Sequence, residues 1–189
     1  MHGLSAIFAL AFACFAAPVH AQEVTRCDGG ERVLCHEIVV AAPAAEVWRL
    51  ISTAEGFSTW AAPVVAIDLR VGGAFESSYN RNARIGDAGN IHNRVVAFAP
   101  ETLLVIQIAD APPGFPHGAE ARELTTVMAV EPVDATHARL RVSMMGFREG
   151  EAFDALFAFF DRGNAWTLQK LNERVMTGPV DWARQEGAR

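Results

Sequence analysis

Motifs of familiar catalytic chemistry are missing from this sequence. It has no serine nucleophile elbow, no dinucleotide fingerprint and no glycine loop of the kind that holds phosphate. The glycines of the segment VGGAF, 71–75, lie in a turn between two predicted strands, whereas a phosphate cradle needs a helix directly behind the loop. The sequence therefore gives no support to nucleotide-dependent enzyme classes, and it nominates no catalytic residue.

Histidines are few and dispersed, which argues against a metal site. Beyond residue 21 they are His36, His92, His117 and His137, and none lies at helical i, i+4 spacing with another ligand type. We therefore expect neither a metal ion nor another cofactor.

Basic residues are also scattered rather than clustered. The net charge is −6, and no run of arginine or lysine forms a stripe along a predicted element. A nucleic-acid surface and attraction to anionic lipid both need such a stripe. We therefore expect no nucleic-acid partner, while the sequence leaves the oligomeric state open.

Residues 1–21 have the pattern of a secretory signal. An apolar run, Leu4–Ala17, is followed by the helix breaker Pro18 and by small residues that end at Ala21, so cleavage would expose Gln22. No lysine or arginine precedes the apolar run, which departs from the usual signal. An uncleaved anchor is the alternative, but the run is shorter than the roughly 20 residues that span a bilayer. The pattern predicts a periplasmic or secreted protein without a stable membrane span.

Cysteine usage fits an exported protein. Cys14 falls within the signal and has a poor context for lipid attachment, so cleavage leaves only Cys27 and Cys35. The turn-forming residues Asp28–Gly30 can bring these two together, and a disulfide there would contribute about 2 to 3 kcal/mol. Two free thiols are the alternative. The spacing is not Cys-x-x-Cys, so a redox-active role is not expected.

The predicted domain begins with a strand pattern, continues into a helix and ends in a much longer helix. Pro43 suits the first position of the early helix, whose apolar face includes Val47 and Leu50, and Gly56 is its expected end. Strands are predicted at Leu34–Ala41, Val64–Arg70, Ala74–Asn80, Asn90–Phe98, Leu103–Ala109, Leu124–Glu131 and Ala138–Met145. The terminal helix is predicted from Glu149 to about Met176, with an apolar stripe that Asn164 interrupts.

This order predicts an α+β fold. A curved antiparallel sheet of about seven strands would wrap around the long C-terminal helix, with the short helical segment after the first strand. We expect one folded domain at 34–176, preceded by the signal at 1–21 and an extension at 22–33, and followed by a tail at 177–189.

Four segments carry a resemblance to a known family. APAAEVWRLIST, VGGAFESSY, RVVAFAPETLLVI and FFDRGNAWTLQKLNERV, in that order, resemble the SRPBCC superfamily, especially its branch related to the activator of the Hsp90 ATPase. The resemblance covers about Leu34–Val175. It implies the helix-grip fold of START lipid-transfer domains and polyketide cyclases, with a cavity between sheet and helix. It does not define a function, because the superfamily hosts carriers, receptors, cyclases and co-chaperone domains.

Candidate cavity residues come from strand alternation and from the helical stripe. Ser77 and Tyr79 share a face with Phe75, whereas Glu76 points the other way. The alternation along Leu103–Ala109 is ambiguous, and the resemblance favours Gln107 inside. The expected ligand-binding residues are Trp60, Phe75, Tyr79, Asn93, Gln107, Met128, Met144, Phe153, Phe157 and Phe160. The alternative is that the aromatic residues only fill the core and that the polar ones are satisfied within the protein.

Two long loops interrupt the strand pattern, at 81–89 and 110–122. Loops of this length are often lids or binding loops, but disordered loops and loops without a function are about as common. Phe115 lies in the Pro-rich second loop, where an aromatic residue either covers a cavity mouth or contacts a partner.

Two function classes follow. One is an exported protein that binds a small hydrophobic molecule, such as a lipid, polyketide or aromatic metabolite. The other is a cyclase- or dehydratase-like enzyme that uses the same cavity, for which the sequence offers no convincing acid–base pair. A co-chaperone role is disfavoured by export, because an exported protein would not encounter a partner ATPase of the cytosol.

Overall fold

The computed structural model describes residues 23–30 and 32–184, so the predicted signal lies outside the described residues. Its strands are β1 Thr25–Arg26, β2 Leu34–Val40, β3 Val64–Ile67, β4 Ala74–Ser78, β5 Ile91–Ala99, β6 Leu103–Asp110, β7 Thr125–Pro132 and β8 Ala138–Met145. Its helices are α1 Ala44–Ser52, α2 Ala54–Ser58, α3 Gly118–Ala121 and α4 Glu151–Thr177. Within these described ranges no helix is both long and apolar enough to cross a membrane.

All the strands join one antiparallel sheet in the order β1-β2-β8-β7-β6-β5-β4-β3. The α+β helix-grip prediction is confirmed, with eight strands rather than about seven. The additional strand is β1, whose two residues pair with Glu37 and His36 of β2. The predicted disulfide is also present: Cys27 is bonded to Cys35 and its backbone N–H donates to the Cys35 carbonyl at 3.1 Å. This bond fastens β1 and the following turn to the sheet.

The early helix is broken earlier than expected. Thr53 has extended backbone angles, and its Oγ1 accepts a hydrogen bond from the Gly56 N–H at 3.0 Å, which caps α2. Gly56 therefore lies inside α2, and the prediction that it ends the helix is wrong. A side chain is excluded at this position, because a Cβ there would lie 2.2 Å from the Arg49 carbonyl oxygen. Pro43 is the N-cap of α1 rather than its first helical residue.

Strand β3 is shorter than predicted because the chain turns after Ile67. The Arg70 N–H donates to the Asp68 carbonyl, and Gly72, with φ +82°, donates to the Val95 carbonyl of β5, both at 2.8 Å. A left-handed backbone of this kind favours glycine.

The apolar core consists of two clusters beneath α4. One cluster packs α1 against the sheet and against the C-terminal half of α4, where Leu168 and Leu171 are buried. The other surrounds Phe153 and Leu156 near the beginning of α4. Between them, every described residue of α4 from 157 to 167 is only half-buried or exposed. The middle of α4 is therefore not closely packed on the sheet, and a cavity lies under it.

Candidate functional site

An inner chamber of about 210 Å³ lies between the middle of α4 and the concave face of the sheet. Apolar side chains form most of its wall. They are Ile51, Phe57, Trp60, Phe75, Ile91, Ile106, Ile108, Met128, Leu140, Val142, Met144, Phe160 and Leu168. Members of both core clusters contribute, so the chamber is the gap between them.

A second cavity of about 520 Å³, here called the vestibule, adjoins the inner chamber. Six residues line both: Tyr79, Ile91, Ile108, Phe160, Asn164 and Thr167. The remaining vestibule wall comes from the end of β4, from Gly89, from the start of the 110–122 loop and from the middle of α4. The two cavities therefore adjoin at these six residues, and together they are called the recess.

Aromatic rings surround the vestibule. Phe115 packs edge-to-face on Phe159, with ring centroids 5.3 Å apart, and lies 6.3 Å from the ring of Phe160. Trp166 lines the same space and is 53% exposed. The Pro-rich loop thus places Phe115 on α4 beside the vestibule.

Of the shorter loop, 81–89, Gly89 alone lines the vestibule, and the rest of the loop is held from the outer face of the sheet. Glu76 is buried on the outer face of β4, where its carboxylate accepts from the Gly86 N–H at 2.7 Å and from Asn90 Nδ2 at 2.6 Å. These bonds fasten the loop to the outside of the sheet. Glu76 therefore has its hydrogen bonds within the protein and points away from the recess, as the strand alternation predicts.

The polar groups of the recess differ in how well they are paired. Thr167 Oγ1 donates to the Gly163 carbonyl at 2.8 Å, within its own helix. Asn164 Nδ2, in contrast, is buried and has no hydrogen-bond partner among the described residues. An unpaired buried amide is costly, because it has lost water without gaining another partner.

Charge is scarce in the recess. Among the lining residues, which all belong to the described part of the chain, Asp110 of the vestibule is the only carboxylate, and no lysine, arginine or histidine lines either cavity. Asp110 accepts from Arg122 Nη2 at 2.8 Å. The interior is therefore electrically neutral.

Tyr79 carries the only titratable side chain of the inner chamber within the described ranges. Desolvation by the surrounding protein raises the pKa of its phenol above 10.0, although 57% of the residue remains exposed. The phenol is therefore neutral near pH 7.

Seven of the ten predicted residues line the recess: Trp60, Phe75, Tyr79, Asn93, Met128, Met144 and Phe160. Three do not, namely Gln107, Phe153 and Phe157. The prediction that Gln107 faces inward is wrong. Its amide accepts from Arg94 Nη2 at 3.0 Å and donates to the Arg122 carbonyl at 3.1 Å, on the outer face. Ile106 and Ile108 occupy the inner face instead.

Phe153 and Phe157 lie too near the beginning of α4 to reach the chamber. Phe153 is 5% exposed in the second core cluster, and Phe157 packs on Phe147 with ring centroids 5.0 Å apart. The guanidinium of Arg26 lies 5.5 Å from the centre of the Phe157 ring. The placement of both in the cavity wall is therefore wrong, because the α4 residues that line the recess begin at Phe159.

Sequence reasoning did not nominate Asn164 or Thr167 as site residues. The available signal was the interruption of an apolar helical stripe by a polar residue at Asn164. Thr126 and the isoleucines of β5 and β6 carried no signal that distinguishes a cavity wall from ordinary core.

Comparisons with known proteins agree with this architecture. Residues 33–177 match the family described as polyketide cyclase / dehydrase and lipid transport. No curated protein sequence matches at a significant level.

Three solved structures illustrate the shared fold. The Aha1 protein from Colwellia psychrerythraea is 17% identical, with 77% of this chain and 97% of that chain aligned at a TM-score of 0.61. A protein from Mesorhizobium loti is also 17% identical, with 79% and 100% aligned at 0.62. The di-domain ARO/CYC protein BexL, from the BE-7585A biosynthetic pathway, is 21% identical over 79% of this chain and 48% of its own length, at 0.57.

The family match spans most of the chain, and the sheet, terminal helix and recess have the arrangement that the sequence resemblance implied. The chain therefore belongs to the polyketide cyclase / dehydrase and lipid transport family, within the SRPBCC superfamily.

Proposed function

We propose that this protein is exported and binds a small hydrophobic molecule in the recess between the sheet and α4. The observation that carries the proposal is the apolar inner chamber, which adjoins a larger vestibule instead of being filled by side chains. Ligand pockets are typically apolar clefts of about 300 to 1,000 Å³ with a few polar groups, and the vestibule alone falls within that range.

The family supports a ligand-binding role, since its description includes lipid transport. The secretory pattern of residues 1–21 and the Cys27–Cys35 disulfide support export, because disulfides persist in oxidising compartments. We accordingly assign the protein to the periplasm or the extracellular space.

Native mass spectrometry of the protein purified from its own cell envelope tests the binding role. We expect a mass increment that is lost on denaturation and that corresponds to a small organic molecule. If the protein carries no such molecule and also fails to bind a neutral apolar dye, the binding role is wrong. A protein produced in another host serves as the control, because host lipids would give a different increment.

An enzyme of cyclase or dehydratase type is the second candidate. Its support is the family description, together with the likeness to BexL, and the position of the Tyr79 phenol at the junction of chamber and vestibule. The test is prolonged incubation of the retained molecule with the protein. Recovery of an unchanged molecule supports the carrier. Turnover that Tyr79→Phe abolishes while the fold is retained supports the enzyme.

A further inference from the structure

The disulfide-bonded strand β1 precedes the residues that match the family, and it contacts the helix that covers the recess. We propose that the Cys27–Cys35 disulfide is a redox-sensitive latch. While it is closed it holds β1 against the middle of α4, and its reduction by a protein dithiol frees β1 and speeds ligand exchange. The effect on ligand exchange rests on the proposed binding function, whereas the effect on α4 does not.

The contact between β1 and α4 is made by Arg26. Its Nε lies 3.5 Å from Asp161 Oδ1, and its guanidinium carbon lies 5.5 Å from the centre of the Phe157 ring. Phe157 and Asp161 are four residues apart, so they share one face of the helix. His36 Nε2 on β2 meets the same Asp161 oxygen at 3.1 Å. Arg26 therefore fastens one full turn of α4 to the edge of the sheet.

The turn that Arg26 holds adjoins the wall of the recess. Phe159, Phe160 and Gly163 line the vestibule, and none of the described residues of α4 from 157 to 167 is fully buried. On the other side of this segment, Phe115 of the Pro-rich loop packs on Phe159. Contacts on two sides thus add to the limited core packing of the middle of α4, and loss of either contact should let this segment move more easily.

Strand β1 depends on the disulfide for its position. Two residue pairs join it to β2, and Val24 beside it is a partly buried apolar contact. The disulfide and the hydrogen bond from the Cys27 N–H to the Cys35 carbonyl, at 3.1 Å, directly follow Arg26. The first residues of a domain are poorly ordered unless they are tied down. Without the covalent bond, β1 should therefore separate from the sheet and take Arg26 away from α4.

The two sulfurs differ in access, which sets the direction of the reduction. Cys27 is half-buried, whereas Cys35 is 2% exposed. A thiolate of the dithiol therefore attacks Cys27 Sγ, the bond between the two cysteines breaks, and Cys35 leaves as a thiolate. Ser143 Oγ donates to Cys35 Sγ at 3.5 Å and stabilises this leaving group. The second thiol of the reductant then releases Cys27 from the mixed disulfide. The dithiol supplies both electrons and becomes a disulfide, and the two cysteines take up the two protons that it loses.

Hydrogen exchange measured by mass spectrometry tests the effect on α4 without any ligand. The full mature protein is compared in its oxidised form and after reduction with dithiothreitol, a small dithiol. We expect the backbone amides of 157–167 to exchange about two- to tenfold faster after reduction, because loss of an exposed ion pair and a cation–π contact changes an opening equilibrium by about this factor. Equal exchange of these amides in the two forms would overturn the latch.

The variant Arg26→Gln separates the latch from a general loss of stability, because it removes the cation and keeps the disulfide. In its oxidised form it should show the faster exchange of the reduced wild type at 157–167, with unchanged exchange in β6 and β7. Arg32→Gln is the matched control, since Arg32 belongs to the same segment and pairs with Asp154 of α4 at 3.2 Å, where the helix lines neither cavity. This control should exchange like the wild type. Wild-type exchange at 157–167 in oxidised Arg26→Gln would overturn the role of Arg26.

Ligand exchange is measured by stopped-flow release of the neutral dye N-phenyl-1-naphthylamine. Reduction should raise its dissociation rate by about two- to tenfold, and the double variant Cys27→Ser, Cys35→Ser should release it at the raised rate with or without dithiothreitol. A dissociation rate that ignores reduction, while hydrogen exchange at 157–167 responds, would overturn control of the recess by the latch. If the dye binds neither form of the wild type, the proposed function is wrong and with it the effect on ligand exchange, whereas hydrogen exchange still decides whether the disulfide holds α4.

Discussion

The imidazole of His36 on β2 meets the carboxylate of Asp161 on α4, with Nε2 3.1 Å from Oδ1. Arg26 of β1 approaches the same oxygen at 3.5 Å. His36 is 4% exposed, and its Nδ1 has no hydrogen-bond partner among the described residues. This cluster joins the disulfide-bonded edge of the sheet to the helix that covers the recess.

The stability of the protein should depend on the protonation of His36. Burial lowers the pKa of this imidazole below 6.5, and Arg26 lowers it further, while Asp161 acts in the opposite direction. The unfolded chain then binds a proton more readily than the native state as the pH falls below about 6.5, so the free energy of unfolding decreases there. One such group changes it by at most about 1.4 kcal/mol per pH unit.

Urea unfolding between pH 7.5 and 5.5 measures this dependence. His36→Gln should reduce the slope of unfolding free energy against pH, because the titrating group is gone. Asp161→Asn should steepen it toward lower pH, since the interaction that raises the histidine pKa is removed. Equal slopes for the wild type and His36→Gln would show that this residue does not link folding to pH.

Export should leave a defined covalent state. We expect intact-mass analysis of the periplasmic or secreted fraction to give a chain that begins at Gln22, with two hydrogens fewer than the reduced form because of the Cys27–Cys35 bond. Reduction should lower the free energy of unfolding by about 2 to 3 kcal/mol in the chain-entropy account. Retention of residues 1–21 would contradict cleavage. Two thiols that alkylate without reductant would contradict the disulfide in the cell.

Two phenylalanines of α4 should respond differently to truncation. Phe153→Ala leaves a void in a closely packed cluster, so we expect the free energy of unfolding to fall by about 3 to 5 kcal/mol. Phe160→Ala enlarges a recess that already exists, and it should cost less while changing the affinity for a neutral apolar dye by several-fold. Denaturant unfolding and dye titration of both variants test this contrast. If Phe160→Ala lowers the free energy of unfolding as much as Phe153→Ala does, the surroundings of Phe160 are ordinary core and not a cavity wall.

The sheet could be predicted because most strands carry their own alternation. On β8, Leu140, Val142 and Met144 alternate with polar residues, and all three line the inner chamber. The extra strand β1 could not be recognised, since two exposed residues give no periodic signal and depend on pairing with β2.

The errors at the site have one physical origin: the sequence of a strand or helix does not determine which elements pack beside it. Strand β6 is apolar on both faces, so its orientation is settled by pairing: Asn93 lies opposite Ile108, and Arg94 lies opposite Gln107. The Arg94 side chain then donates a hydrogen bond to the Gln107 amide oxygen on the outer face of the sheet. Similarly, helical spacing places Phe153 and Phe160 on the same face of α4. It does not predict where along the helix the recess begins, because that depends on the packing of α4 against the sheet.

Phe115 should control how fast a ligand leaves the recess. Its ring packs on Phe159 beside the vestibule, and aromatic pairs of this kind contribute about 0.5 to 1.5 kcal/mol. Phe115→Ala should therefore raise the dissociation rate of N-phenyl-1-naphthylamine by about two- to tenfold in stopped-flow measurements, and the same lost contact should lower the free energy of unfolding by about 0.5 to 1.5 kcal/mol. Ile85→Ala is the matched control, because Ile85 is an exposed apolar residue of the other long loop and lines neither cavity. If the two variants release the dye at the same rate, the Pro-rich loop does not cover the recess.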